Sequence, residues 1–357
     1  MKAVYLHVPF CDSICAYCDF CRIITNEDTK TKWMAQIIKE IKEKNIHEVD
    51  TLYFGGGTPS SLTCEQFEKI ASLFDVSKEF TVECNPESLT LEKIKLYKKL
   101  GVNRISLGVQ TFNGRLLETI NRNHRKEDIF RVIKLLKEYG IDNISIDLMY
   151  ALPKQSLNDI KDDLALFMDL DIKHLSIYSL QIEKNSIFGR QNLKPVDEDV
   201  EADMYELICK TMENAGYLHY EISSFCKPEY HSTHNLAYWQ DEDFIGIGCG
   251  ASGKENNIRY DNTRSLKAYI ESGASPYIYE ETQKDKAFNA IMMALRTTFG
   301  LDVQKWNQRY GQDFIKKYST VLDKYHDVLK LENDILYPNR KAMEILNTIL
   351  VDFLLID

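Results

Sequence analysis

Along the first half of the chain the apolar positions switch between two rhythms. Short runs rich in β-branched and aromatic residues read as strands: "AVYLHV" (3–8), "TLYFGG" (51–56), "FTVECN" (80–85), "RISLGV" (104–109), "NISIDLMY" (143–150) and "LSIYSLQI" (175–182). Between them stand longer stretches with helical spacing, among them "TKWMAQIIKEIKEK", "LEKIKLYKKLG" and "DIKDDLALFMDL", several closed by a glycine or a lysine-rich last turn. Six such repeats imply a parallel sheet with right-handed crossovers, either an open doubly wound sheet or a barrel-like array. In both, ligands sit at the carboxyl ends of the strands. The segments found there, "PFCDSICAYC", "GGTPSS", "NPES", "QTFN", "ALPKQ" and "EKNS", are rich in Cys, Gly, Pro and polar residues, as a functional rim requires. Beyond about residue 220 the alternation fades, and from Ala287 the pattern is helical with one β-like run, "DILYP". The expected division is a repeat-bearing unit over 1–220, a connecting region over 221–286 and a smaller, mainly helical carboxy-terminal domain over 287–357.

Composition narrows the function. With 357 residues, 44% of them apolar, the chain can bury a large core. Its 54 acidic and 44 basic residues give a net charge of −10, which opposes a phosphate backbone, and no long basic run offsets it. Nucleic acid is not an expected partner. The amino terminus lacks a secretory pattern, and no stretch approaches the roughly 18 uninterrupted apolar residues of a membrane span, so a cytoplasmic location is expected. In that reducing setting nine cysteines, an odd number, argue against a disulfide framework and for a metal or redox site wherever thiols cluster.

They cluster once. Cys11, Cys15, Cys18 and Cys21 fall within eleven positions directly after the first strand, while Cys64, Cys84, Cys209, Cys226 and Cys249 are scattered. The spacing C-x3-C-x2-C lets three soft thiolates converge from one loop. Iron–sulfur clusters usually take four thiolates, and structural zinc takes four ligands. Three thiolates therefore suit a cubane with one iron open to an outside ligand, or a zinc ion completed by Cys21 or His7.

The trio, with Tyr17 before the third cysteine, resembles the signature of the radical S-adenosylmethionine (SAM) superfamily. That resemblance implies a 4Fe-4S cluster on Cys11, Cys15 and Cys18, SAM chelating its open iron, and a partial (β/α)6 TIM-like barrel over 1–220. "YLHVPFC", "LYFGGGTPS", "VECNPES", "RISLGVQTF", "IDLMYALPKQ", "YSLQIE", "GYLHYEISSF" and "HNLAYW" follow one another as in oxygen-independent coproporphyrinogen III oxidases and their relatives, the heme chaperones. By the same resemblance Tyr5, Gly56, Gly57, Thr58, Glu83, Gln110, Arg122 and Asp147 line the SAM site. These residue types suit such a ligand, since glycines let it approach the backbone, carboxylates suit a cation or ribose hydroxyls, and a guanidinium suits a carboxylate. The chemistry implied is reductive cleavage of SAM to a 5′-deoxyadenosyl radical in a water-excluding barrel, with an electron donor such as flavodoxin or ferredoxin.

Two features separate the branches. The oxidases resemble C-x3-C-x2-C-x-C, whereas Phe20 stands at that fourth position here and the extra cysteine is Cys21, as "CAYCDF" in the heme-chaperone branch leads one to expect. The oxidases also carry a longer segment ahead of the cysteines than the ten residues found here. "HNLAYW" matches the chaperones' H-N-x-x-Y-W motif, which implies heme contacts from His234, Tyr238 and Trp239, with His231 as a second candidate ligand. A histidine usual in the family is Ser252 here. The expectation is a heme chaperone whose partners are SAM, heme or porphyrin and a heme-acceptor protein, with a radical-SAM oxidase acting on a porphyrinogen as the alternative; no catalytic residue is assigned.

Overall fold

The structure is a computed structural model that describes residues 1–356, so only residue 357 of the expected third unit lies outside it. Six parallel strands, β1 (Ala3–Val8), β2 (Glu48–Gly56), β3 (Asp75–Cys84), β4 (Arg104–Gln110), β5 (Asn143–Tyr150) and β6 (His174–Ser179), pair in sequence order. The six expected strands are all present; β2 begins three residues earlier than its apolar run, and β6 stops at Ser179 rather than 182. Helices cross between them, and their starts are chemically marked. Thr63 with Gln66, and Ser156 with Asp159, form capping boxes that satisfy otherwise orphaned amides.

Alternate strand residues divide into two sets. Val4, Leu6, Val8, Leu52, Phe54, Phe80, Val82, Ile105, Leu107, Ile144, Ile146, Leu175 and Ile177 pack with helix residues such as Trp33, Phe67, Ile133, Phe167 and Ile208 in one core. Burying each such side chain contributes about 1.5–3 kcal/mol. The intervening residues are polar: Thr51 and Tyr53, Glu79, Thr81 and Glu83, Arg104 and Ser106, Ser145 and Asp147, His174 and Ser176. They bond to one another across the inner face, as when Tyr53 donates to Glu83 Oε1 (2.8 Å) and Ser106 to Asp147 (2.9 Å). The barrel therefore has a dry outer jacket and a polar lumen.

The region after residue 220 extends this sheet. β7 (Leu218–Glu221) and β8 (Ser224–Cys226) form a hairpin on the β6 edge. β9 (Phe244–Ile247) joins β1 in parallel, and β10 (Ser252–Glu255), β11 (Ile258–Asp261) and β12 (Tyr277–Ile278) continue outward, completing a twelve-stranded sheet. From Ala287 onward a second core gathers Trp306, Phe314, Tyr318, Leu336 and Phe353. This part is mainly helical, as expected, but "DILYP" belongs to a three-stranded sheet of Leu301–Asp302, Leu329–Glu332 and Ile335–Pro338. Strands of two to four residues are too short to show an alternation. Among the described residues no helix is long and apolar enough to cross a membrane.

Candidate functional site

The loop after β1 carries the cysteine trio and is tied down at both ends. Cys11 N–H donates to Ile23 O (3.1 Å), and Ala16 N–H donates to Ile120 O (3.0 Å). All three thiols are partly buried. Burial pushes the Cys11 thiol up to about 11 and raises Cys18, with the neighbouring cysteines adding to the first shift, so bare thiolates there need positive charge beside them.

A polar circuit links two of the sulfurs. Thr58 Oγ1 donates to Cys11 Sγ (3.4 Å) and accepts from Asn85 Nδ2 (3.4 Å); Arg122 donates from Nη2 to Asn85 Oδ1 (2.9 Å) and to Gly108 O, and from Nη1 to Cys15 Sγ (3.5 Å). Arg122 Nε is buried with no partner, leaving one donor of the fork unspent. No three His, Cys, Asp or Glu side chains surround a single-ion position among the described residues. Three thiols on one loop, with donors aimed at two sulfurs, fit an iron–sulfur cluster. The zinc alternative loses both candidate fourth ligands. His7 spends Nδ1 on Tyr5 OH (3.1 Å) and Nε2 on Cys21 O (2.7 Å), while Cys21 Sγ turns to Cys249 Sγ (3.6 Å) and Arg264 O (3.2 Å). The Cys249 thiol holds Cys21 below its usual value against the opposing effect of burial.

The strand ends bring the expected SAM residues to the same rim. Gly56 has φ of 113°, and a Cβ there would lie 2.6 Å from the His7 ring; a Cβ on Gly57 would lie 2.7 Å from Phe10 O. The glycines thus admit parts of the protein itself. The amides of Gly57 and Thr58 bond to Val8 O and Phe10 O, and that of Gly56 to Glu83 Oε2 (3.1 Å), so none is left over for a ligand. Glu83 keeps an opening to the lumen, yet its carboxyl is enclosed. That desolvation pushes it up to about 7 despite the Tyr53 hydroxyl, and the neighbouring Asp147 charge adds to the rise. Asp147, held by Ser106 and Ser145, is pushed up to about 6, again chiefly by burial. Gln110 closes β4 at a bulge with φ of 65°, a conformation that costs a non-glycine residue about 1–3 kcal/mol and is common at functional sites. Tyr5 stands between His7 and Tyr53, its ring centroid 6.0 Å from each.

"HNLAYW" lies at the opposite end of the lumen. Its helix, Thr233–Trp239, is anchored where Glu79 accepts from the amides of Thr233 (2.9 Å) and His234 (3.0 Å). His234 is fully buried. Its Nδ1 meets Thr51 Oγ1 (2.8 Å), its Nε2 meets Tyr238 OH (2.7 Å), and its ring packs 5.1 Å from Tyr53. Burial lowers it to about 3, so the ring is neutral and both nitrogens are occupied. Trp239 is partly buried in the last turn. His231, by contrast, is partly exposed between Tyr220 and Phe299, with no hydrogen bond on its ring among the described residues.

Sequence reasoning missed the rest of the lumen: Asn85 in the sulfur circuit, Arg104 buried beside Glu79, and the chain from Ser145 through His174 to Tyr220. The available signal was the polar residue at every second position of strands otherwise apolar.

A partial parallel barrel with three loop thiols at its carboxyl rim defines a radical SAM protein. The Radical SAM superfamily model matches residues 5–167, and the HemN C-terminal domain model matches residues 282–345. "Heme chaperone HemW" of Lactococcus lactis is 37% identical, covering 100% of this chain and 98% of its own. The protein of that name from Bacillus subtilis is 36% identical, covering 90% of each. Coproporphyrinogen III oxidase (HemN) from Escherichia coli superposes with a TM-score of 0.86 at 21% identity, over 99% of this chain and 89% of that one, a likeness of fold. The chain belongs to the radical SAM superfamily and, within it, to the HemW family; membership implies a 4Fe-4S cluster and SAM.

Proposed function

We propose that this chain is a heme chaperone, binding heme and passing it to an acceptor protein. The match along the whole chain to proteins named heme chaperones carries the reading. Phe20 supports it, standing where porphyrin-forming oxidases have a fourth cysteine, as does the turning of Cys21 toward Cys249. In this reading residues 1–220 are the SAM unit, 221–286 the connecting region and 287–357 the carboxy-terminal domain. Cys11, Cys15 and Cys18 hold the cluster. Tyr5, Gly56, Gly57, Thr58, Glu83, Gln110, Arg122 and Asp147 hold SAM, the two carboxyls facing its cationic and hydroxyl groups and Arg122 its carboxylate. Together the bound groups supply one-electron chemistry. The chain's residues position them and keep water out. A flavodoxin or ferredoxin as electron donor, a cytoplasmic location and no nucleic-acid partner complete the proposal. Heme contacts from His234, Tyr238 and Trp239, with His231 as a second candidate ligand, belong to it as well; both His234 nitrogens are bonded inside the protein, so ligation by that ring requires it to give up Thr51 or Tyr238.

The test uses reconstituted protein, incubated anaerobically with heme and, separately, with coproporphyrinogen III, SAM and a reductant. Retained heme without porphyrinogen turnover is expected. Turnover, or no heme binding, would overturn the reading.

A further inference from the structure

Cys21 and Cys249 are brought together across a separation of 228 residues, and their sulfurs lie 3.6 Å apart. Cys249 is fully buried in the turn between β9 and β10, whereas Cys21 is partly exposed on the wall of a surface cleft of about 450 Å³. The two backbones meet at Gly250. A Cβ there would lie 2.4 Å from Cys21 Cβ, and its φ of 79° also favours glycine, so the missing side chain is what lets the cysteine loop come this close. Both sides of the contact are held in place. His7 Nε2 bonds to Cys21 O (2.7 Å), while Gly248 N–H donates to Glu40 Oε2 (3.2 Å) and Gly248 O accepts from Asn262 Nδ2 (3.0 Å). Arg22 and Arg264 line the same cleft as Cys21. The Cys249 thiol holds Cys21 below its usual value, and the Arg264 and Arg22 charges add to that against the effect of burial. Neither sulfur belongs to the cluster trio or to the residues proposed for SAM.

Two thiols in contact, one reachable from a cleft and one enclosed behind it, have the arrangement of an attacking and a resolving cysteine. We infer that Cys21 and Cys249 form a reversible disulfide that fastens the cluster loop to the β9–β10 turn, with a low-molecular-weight disulfide as the oxidant. Cys21, as its thiolate, attacks one sulfur of that molecule, forming a mixed disulfide and expelling a thiolate. Cys249 then attacks the Cys21 sulfur and expels the second. Two protein thiols are oxidised, one external disulfide is reduced to two thiols, and the two protons given up by the protein end on them. The sulfurs have to close from 3.6 Å to about 2.05 Å. A reducing compartment returns the pair to thiols, so the bond responds to redox state rather than serving as a framework. Cys21 follows directly on the cluster loop, three residues after Cys18, and closing the bond therefore limits how far that loop can open. The chemistry is independent of heme binding and of the "HNLAYW" helix.

The test equilibrates the cluster-reconstituted full chain anaerobically with glutathione disulfide, quenches with acid, alkylates the free thiols and maps the peptides by mass, with cluster iron measured in parallel. The wild type is expected to give the Cys21 and Cys249 peptides joined through one disulfide, reversed by dithiothreitol, with cluster iron retained. Cys249→Ser should stop at the mixed disulfide, Cys21 carrying one glutathione, and Cys21→Ser should carry none on Cys249. After removal of the oxidant, the tied wild type should release iron to a chelator more slowly than the same protein reduced, a difference absent from both variants. The wild-type peptide map decides even where a variant fails to fold. Both cysteines recovered alkylated, or glutathione stably retained on wild-type Cys21, would overturn the disulfide. Iron lost in step with oxidation would show that the cluster trio reacts instead, and equal iron release from the tied and reduced forms would overturn the fastening of the loop.

Discussion

Each cysteine of the amino-terminal loop is separable by what its sulfur touches. Cys11 and Cys15 receive donors from Thr58 and Arg122, whereas Cys21 faces Cys249 and Arg264 O. Replacing Cys11, Cys15 or Cys18 by Ala should therefore abolish the cluster's visible absorption after reconstitution, and Cys21→Ala should leave iron content nearly unchanged. Comparable iron loss in Cys21→Ala would mean that the ligand set is wrong. Asp147 is a contact of another kind, a carboxylate held by two serine hydroxyls and proposed to grip SAM. Asp147→Ala removes a charge-assisted contact of about 1.5–3 kcal/mol, so SAM affinity should fall about 10- to 150-fold with iron retained. Equal affinity in equilibrium binding would remove Asp147 from the site.

Among the elements, the helix Thr233–Trp239 acts as a strut across the amino-terminal end of the lumen. His234→Ala leaves Thr51 and Tyr238 without their partner in a buried setting, at about 1–3 kcal/mol for each group stranded. The expected result is a thermal midpoint lower by several degrees, and heme retained with the wild-type spectrum in the folded variant would mean that the ring serves the fold alone. This helix also shows where sequence reading stops. Its letters announce a histidine beside aromatics, but whether the ring faces solvent or Thr51 depends on a strand 183 residues away. The six strands were legible because their helix-facing residues are apolar and β-branched, and the cysteine loop because its spacing is local. The polar lumen was not, since Thr51, Ser106, Ser145 and His174 are unremarkable singly and gain meaning only when the barrel brings them together. Nor were the edge strands, whose two to four residues carry no period.

For the molecule as a whole, the lumen is a store of titratable charge withheld from water, and this couples folding, pH and ligand binding. Burial pushes Glu83 from 4.5 up to about 7 and Asp147 from 3.8 up to about 6. Between about pH 4.5 and about pH 6 the ligand-free fold holds on both carboxyls protons that the unfolded chain has already released. A carboxyl raised in this way contributes stability that is fully present below the unfolded values and is lost as pH rises through the folded ones. Stability should therefore decline from about pH 4 to about pH 7 on their account, and Glu83→Gln should remove part of that slope in denaturant titrations. SAM brings positive charge to the same carboxylates in the proposed site, which favours their ionised form. Binding should then expel protons in the window below about 7, and affinity should climb with pH until Glu83 is ionised in the free protein. Calorimetry in two buffers of different ionisation enthalpy reads this directly: within that window the wild type should give different heats in the two buffers, and Glu83→Gln should bind more weakly with a smaller difference. Identical wild-type heats in both buffers would show that no net proton leaves on binding, and Glu83 would then have to be removed from the SAM site.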